Sequence, residues 1–107
     1  MKRIKIETFI LAAAFALSVP VGSLAQDDPA ALYKSKCQVC HGADGKGDTP
    51  AGKKLGAKDF QAPDVAKMSD ADLFEITKKG KEKMPSYDKK LTDGQIKSLI
   101  QYIHSLK

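Results

Sequence analysis

The sequence predicts an all-α domain of three to four short helices with a loop-rich middle wrapped around a large apolar group. Three observations carry this prediction. Near the C-terminus, Ile96, Leu99, Ile100, Ile103 and Leu106 recur at helical spacing. No segment alternates with the period of a strand. Residues 42–64 carry five glycines and two prolines with little apolar periodicity. So long an irregular stretch is unusual in a small domain unless it encloses something.

The chain opens with a different kind of segment. Lys2, Arg3 and Lys5 precede an apolar run from Phe9 to Val19, then Pro20, Gly22, and the small residues Ser23 and Ala25. That layout is a secretory signal peptide over residues 1–25, leaving a domain over residues 26–107. The run is well short of the ~20 apolar residues that span a bilayer, so the expectation is removal rather than membrane anchoring. The expected location is the periplasm, as a soluble monomer.

Removing Lys2, Arg3, Lys5 and Glu7 lowers the net charge from +5 to +3 and leaves lysine as the only cationic side chain besides histidine. Without arginine or interleaved basic and aromatic residues, this charge does not read as a nucleic-acid surface. It suits a solvated face, or a docking surface for an acidic protein partner.

The helices follow in order. Asp28 is placed to cap and Pro29 to occupy the first helical position, which predicts a helix over 29–39. On it, Tyr33, Cys37 and Cys40 share one face. Within the irregular middle, Leu55 and Phe60 are the expected inward anchors. Ser69 followed by Asp72 begins a second helix, with Met68 before it as a hydrophobic staple and Gly80 ending it. Thr92 and Gln95 form a capping box at the start of the third.

The chemistry concentrates at Cys37-Gln38-Val39-Cys40-His41, which holds both cysteines of the chain. A chain this small needs a staple beyond its own core. A disulfide across two intervening residues constrains little unfolded chain. A thioredoxin-like dithiol calls for a βαβ pattern that is missing, and zinc would need four well-spaced ligands. Attachment of a c-type haem accounts for all five residues. Two thiols add across the two vinyl groups of the macrocycle from one helical turn, and the next residue turns its imidazole to the iron. Cys37 and Cys40 are thus the expected thioether carriers and His41 the proximal iron ligand.

For the distal iron position the candidates are Met84, Met68, His104, or no side chain at all. Met84 precedes Pro85, which stiffens the backbone and favours an extended conformation before it, suiting a ligand presented from a loop. Met84 is the favoured ligand.

With these residues in view, the chain resembles the class I c-type cytochromes, the small soluble monohaem group. The likeness runs through "CQVCHGADGKGD", "TPAGKKLG", "MPSY" and "LTDGQIKSLIQYIHSL". It implies a cytochrome c-like fold around one covalent haem c with its iron, held by Cys37 and Cys40 and ligated by His41 and Met84. It implies N- and C-terminal helices that cross, with Tyr102 an aromatic partner near Tyr33. It implies a proline carbonyl, here that of Pro50, accepting from the His41 imidazole, and lysines, Tyr87 or backbone N–H groups in place of an arginine at the haem propionates. It implies a non-enzymatic one-electron carrier between periplasmic or membrane redox proteins. The other functions open to such a chain are a haem-bearing subunit of a larger oxidoreductase and an open-site haem enzyme or sensor. A pocket between the cysteine motif and Met84 is a further expectation.

Overall fold

The computed structural model describes residues 28–106. The expected signal peptide therefore lies outside the described residues. Six helical segments follow one another: α1 (Pro29–Lys36), α2 (Gln38–His41), α3 (Pro50–Leu55), α4 (Pro63–Ala66), α5 (Asp70–Lys79) and α6 (Asp93–Ser105). Among the described residues there is no strand, only an isolated antiparallel bridge between Lys81 and Met84. The all-α expectation holds. The expected three to four helices correspond to α1 followed by α2, then α5 and α6; α3 and α4 are short helices of six and four residues within the middle segment.

The caps explain where the longer helices start. The Asp28 carboxylate accepts from the Ala30 N–H at 3.2 Å, and Pro29 follows at a position whose missing N–H costs nothing. Ser69 accepts from the Asp72 N–H at 3.1 Å. Thr92 and Gln95 close a reciprocal capping box, with bonds of 3.1 and 2.9 Å.

The first helix does not run unbroken to residue 39. Cys37 interrupts it at φ −117° and ψ −35°, and a separate turn, α2, carries the rest of the motif. The middle segment is also more ordered than its composition suggests. Thr49 caps α3 through a 2.9 Å bond from the Gly52 N–H, Pro50 takes the first helical position, and Gly56 ends the helix in the left-handed region at φ 72° and ψ 33°.

The core is small. Tyr33, Leu91, Ile96, Leu99 and Ile100 form one buried cluster, and Val65 is buried apart from it. Leu32, Cys37, Phe60, Leu73, Phe74, Tyr87, Tyr102, Ile103 and Leu106 pack on the cluster while remaining partly exposed. α6 is central, packing against both α1 and α5, whereas α2 packs on α3. At the α1–α6 crossing the Tyr33 and Tyr102 rings lie 5.2 Å apart between centroids. The Lys78 ammonium bridges from the end of α5 to Asp93 at the start of α6, 3.1 Å away. Leu55, expected to point inward, is 43% exposed at the outer end of α3, while Phe60 does pack inward.

Candidate haem site

Cys37, Cys40 and His41 are gathered on one turn by the break in the helix. Both cysteines are free thiols and partly buried. Burial, then the neighbouring Cys40, pushes the Cys37 thiol up to about 11. A redox-active dithiol depends on a depressed thiol, so this environment opposes the dithiol reading.

The turn is held from several directions. The Thr49 hydroxyl donates to the Val39 carbonyl at 2.7 Å and also lies 3.1 Å from that of Cys40. Gly42 leaves α2 at φ 81°, its N–H bonded to Gln38 O. Its carbonyl accepts from the buried Tyr33 hydroxyl, which ties the motif to the α1–α6 core.

His41 Nδ1 lies 3.2 Å from the carbonyl oxygen of Lys58. A carbonyl can only accept, so Nδ1 is the protonated nitrogen and Nε2 carries the lone pair. Pro50, the expected acceptor, does not fill this role. It begins α3, and the carbonyl that reaches the imidazole comes after that helix has ended at Gly56. The Phe60 ring stacks on His41 with 4.5 Å between centroids and 21° between planes. Burial, opposed by the Lys58 hydrogen bond, holds the imidazole below its ordinary pKa and favours the neutral, ligating form.

Met84 lies on a tight turn. Its N–H donates to Lys81 O at 2.9 Å, and the Lys81 N–H returns to Met84 O at 3.1 Å. Glu82 sits at the turn with φ 54°. The following residues run along the end of α5: Tyr87 N–H donates to Thr77 O, and Asp88 N–H to Lys78 O, each at 3.1 Å. The Tyr87 hydroxyl then crosses to the Lys36 carbonyl, 2.9 Å away, immediately before Cys37. Burial, then the two nearby thiols Cys37 and Cys40, raises the pKa of this phenol. Tyr87 thus joins the Met84 segment to the cysteine turn.

The remaining candidates lie elsewhere. Met68 precedes the Ser69 cap and is half-buried. His104 is on the exposed side of α6, its Nε2 2.7 Å from the Asp70 carboxylate. Two cavities among the described residues lie elsewhere than between the cysteine motif and Met84, the place of the expected pocket. One of those is lined by Asp70, Phe74 and Lys97 among others, and the second by Thr92, Gly94, Gln95 and Ser98.

The donor set nevertheless fits a covalent haem. Two free thiols and an imidazole with its outer nitrogen available occupy one turn. Beside them, Phe60 and Tyr87 are apolar surfaces packed on the core yet partly exposed. No structural feature was missed here for lack of chemistry: the Lys58 carbonyl is a main-chain atom with no residue-type signal, while Thr49-Pro50 carries the readable signature of a helix start.

Comparison with known proteins agrees with the geometry. Two solved structures, both of the KustC0563 c-type cytochrome, match with TM-scores of 0.68 and 0.67 at 35% and 34% identity, the second being a tyrosine-to-phenylalanine mutant. Each alignment covers 75% of this chain, and 98% or 99% of the solved chain. Cytochrome c6 of Rippkaea orientalis is 32% identical over 96% of this chain and 92% of its own length. The cbb3-type cytochrome c oxidase subunit CcoP of Azospirillum brasilense is 32% identical over 70% of this chain, which spans only 26% of that subunit. The fold and the site therefore define a small class I c-type cytochrome, a protein class that carries covalent haem c and transfers electrons. Within it, the chain belongs to the family described as Cytochrome C oxidase, cbb3-type, subunit III, matched over residues 24–103.

Proposed function

We propose that this chain is a one-electron carrier, not an enzyme, in which Cys37 and Cys40 bear the haem thioethers and His41 and Met84 ligate the iron. The observation that carries this reading is the His41–Lys58 hydrogen bond, which leaves Nε2 available on the turn that holds both free thiols. The haem supplies a reversible Fe(III)/Fe(II) couple. The protein holds it and tunes it. Lys58 O fixes the imidazole tautomer and strengthens it as a donor. The soft thioether of Met84 favours the ferrous state relative to a second imidazole and so raises the potential.

The match to cytochrome c6 over most of both chains supports a free carrier. The family description and the CcoP relative favour a second reading, a haem-bearing subunit of a larger oxidoreductase. An open-site haem enzyme or sensor remains the reading to test against both. The chain is proposed to act in the periplasm as a monomer, exported by residues 1–25, which the family match from residue 24 onward supports. Among the described residues no helix is long and apolar enough to cross a membrane.

Met84→Ala is the direct test. The haem should stay covalently bound, the weak red band of Met-ligated ferric haem should vanish, and the potential should fall. An unchanged spectrum and potential would overturn the Met84 assignment. A high-spin wild-type spectrum that shifts with peroxide would instead support the open-site reading. The mass of the purified native protein should correspond to residues 26–107 plus one haem; a retained N-terminus would refute the cleavage.

A further inference from the structure

We propose that Tyr87 is a positioning residue for the distal ligand, its hydroxyl fixing the Met84 segment against the turn that carries Cys37 and Cys40. The inference rests on the proposed ligation by Met84.

Three independent attachments converge on this residue. Its hydroxyl donates to Lys36 O at 2.9 Å, a bond between residues 51 apart in sequence. Its N–H donates to Thr77 O on α5. Its carbonyl accepts from the N–H groups of Lys90 and Leu91, at 3.0 and 2.9 Å, leading into α6. One residue thereby links the α1–α2 junction through its side chain and the last turns of α5 and the approach to α6 through its backbone, three residues beyond Met84.

The acceptor also has a reason to need this bond. The carbonyls of a helix's last turn lose their intrahelical partners. Lys36 ends α1 because Cys37 departs from helical geometry, and the amide that a continuing helix would direct at Lys36 O, that of Cys40, bonds Cys37 O instead. The Tyr87 hydroxyl meets a carbonyl released at the step into the haem motif.

The other supports of Met84 are local. The Lys81–Met84 bridge shapes its turn, and the Ser86 hydroxyl bonds Lys78 O at 2.6 Å. These fasten the segment to itself and to α5 but do not set its separation from the cysteine turn. The Tyr87 hydroxyl spans that separation directly.

The experiment uses the haem-loaded protein and imidazole as a probe that competes with a methionine for ferric iron. Tyr87→Phe removes the hydroxyl and keeps the ring. The loss of one net hydrogen bond should raise the apparent imidazole affinity about fivefold. It should also make the red band fade at a lower temperature, with the thioethers intact. Ile103→Ala serves as a control for general loosening, since Ile103 packs on the core cluster from α6 and has no hydrogen bond to the Met84 segment. It should lower the unfolding temperature with little change in imidazole affinity.

Unchanged imidazole affinity in Tyr87→Phe would overturn the positioning role. So would an equal rise in Tyr87→Phe and Ile103→Ala. Failure of the underlying assignment is separable: if Met84 is not a ligand, wild type lacks the red band and Met84→Ala binds imidazole no more tightly than wild type.

Discussion

Asp70 and His104 stand 34 residues apart and meet at 2.7 Å on the outside of the molecule, with Gln101 adding a bond of 3.1 Å to the same carboxylate. The hydrogen bond from His104 is foremost in holding Asp70 below the usual carboxylate range; desolvation opposes it, and electrostatic attraction to His104 and the Gln101 bond add to it. Unfolding removes these partners, so the unfolded chain takes up the proton first as pH falls. The contribution is complete above the ordinary aspartate value of about 3.9 and is lost as pH drops through the lowered one. Asp70→Asn should therefore melt slightly below wild type at neutral pH, and the gap should close in acid. Equal melting temperatures at neutral pH would sink the claim. Single residues differ in how readily a sequence discloses them. Cys37, Cys40 and His41 are legible because their types and spacing stand in the sequence itself. The Lys58 acceptor is not, because every residue has a carbonyl and only the folded path selects one. Pro50 suits the role by type, but it lies at the start of α3, and the carbonyl beside the imidazole is that of Lys58, past the end of that helix.

Among the elements, the short helices α3 and α4 are the ones the sequence marks least. Six and four residues have no periodicity to detect, and the α3 glycines read as loop, although Thr49-Pro50 signals its start. One of those glycines is what lets α3 seat against the cysteine turn. A Cβ built on Gly52 would lie 2.1 Å from the Cys40 carbonyl oxygen and 2.6 Å from that of Gly47. Both are main-chain atoms that cannot swing aside. Gly52→Ala should cost at least the ~1–3 kcal/mol typical of overpacking, read as a lowered guanidinium midpoint. A midpoint equal to wild type would show that α3 is not seated so closely on α2. By contrast α5 and α6 were plain in the sequence, since Ser69, Thr92 and Gln95 mark their starts and Ile96, Leu99 and Ile100 their buried face.

For the molecule as a whole, the charge is lysine-dominated but partly neutralised. Lys53, Lys58, Lys78 and Lys79 are paired with Asp48, Asp64, Asp93 and Glu75. Lys34 and Lys36 near the cysteines, and Lys81, Lys83, Lys89 and Lys90 around the Met84 and Tyr87 segment, have no ion-pair partner among the described residues. The Tyr87 hydroxyl bonds the Lys36 carbonyl, so the segment that carries Lys89 and Lys90 meets the chain at Lys36. If these lysines guide an acidic redox partner, the bimolecular electron-transfer rate should fall steeply with salt, as the screening length contracts from about 10 Å at 0.1 M to about 3 Å at 1 M. A flat dependence would leave these lysines with no role in docking.

The small number of buried apolar side chains among the described residues has a consequence for the life of the protein in the cell. Tyr33, Val65, Leu91, Ile96, Leu99 and Ile100 are few to hold a fold closed on their own. A newly made chain without haem should spend much of its time open to proteases, whereas the finished cytochrome should resist them. Its steady-state abundance would then follow haem supply and ligation capacity, even at constant transcription.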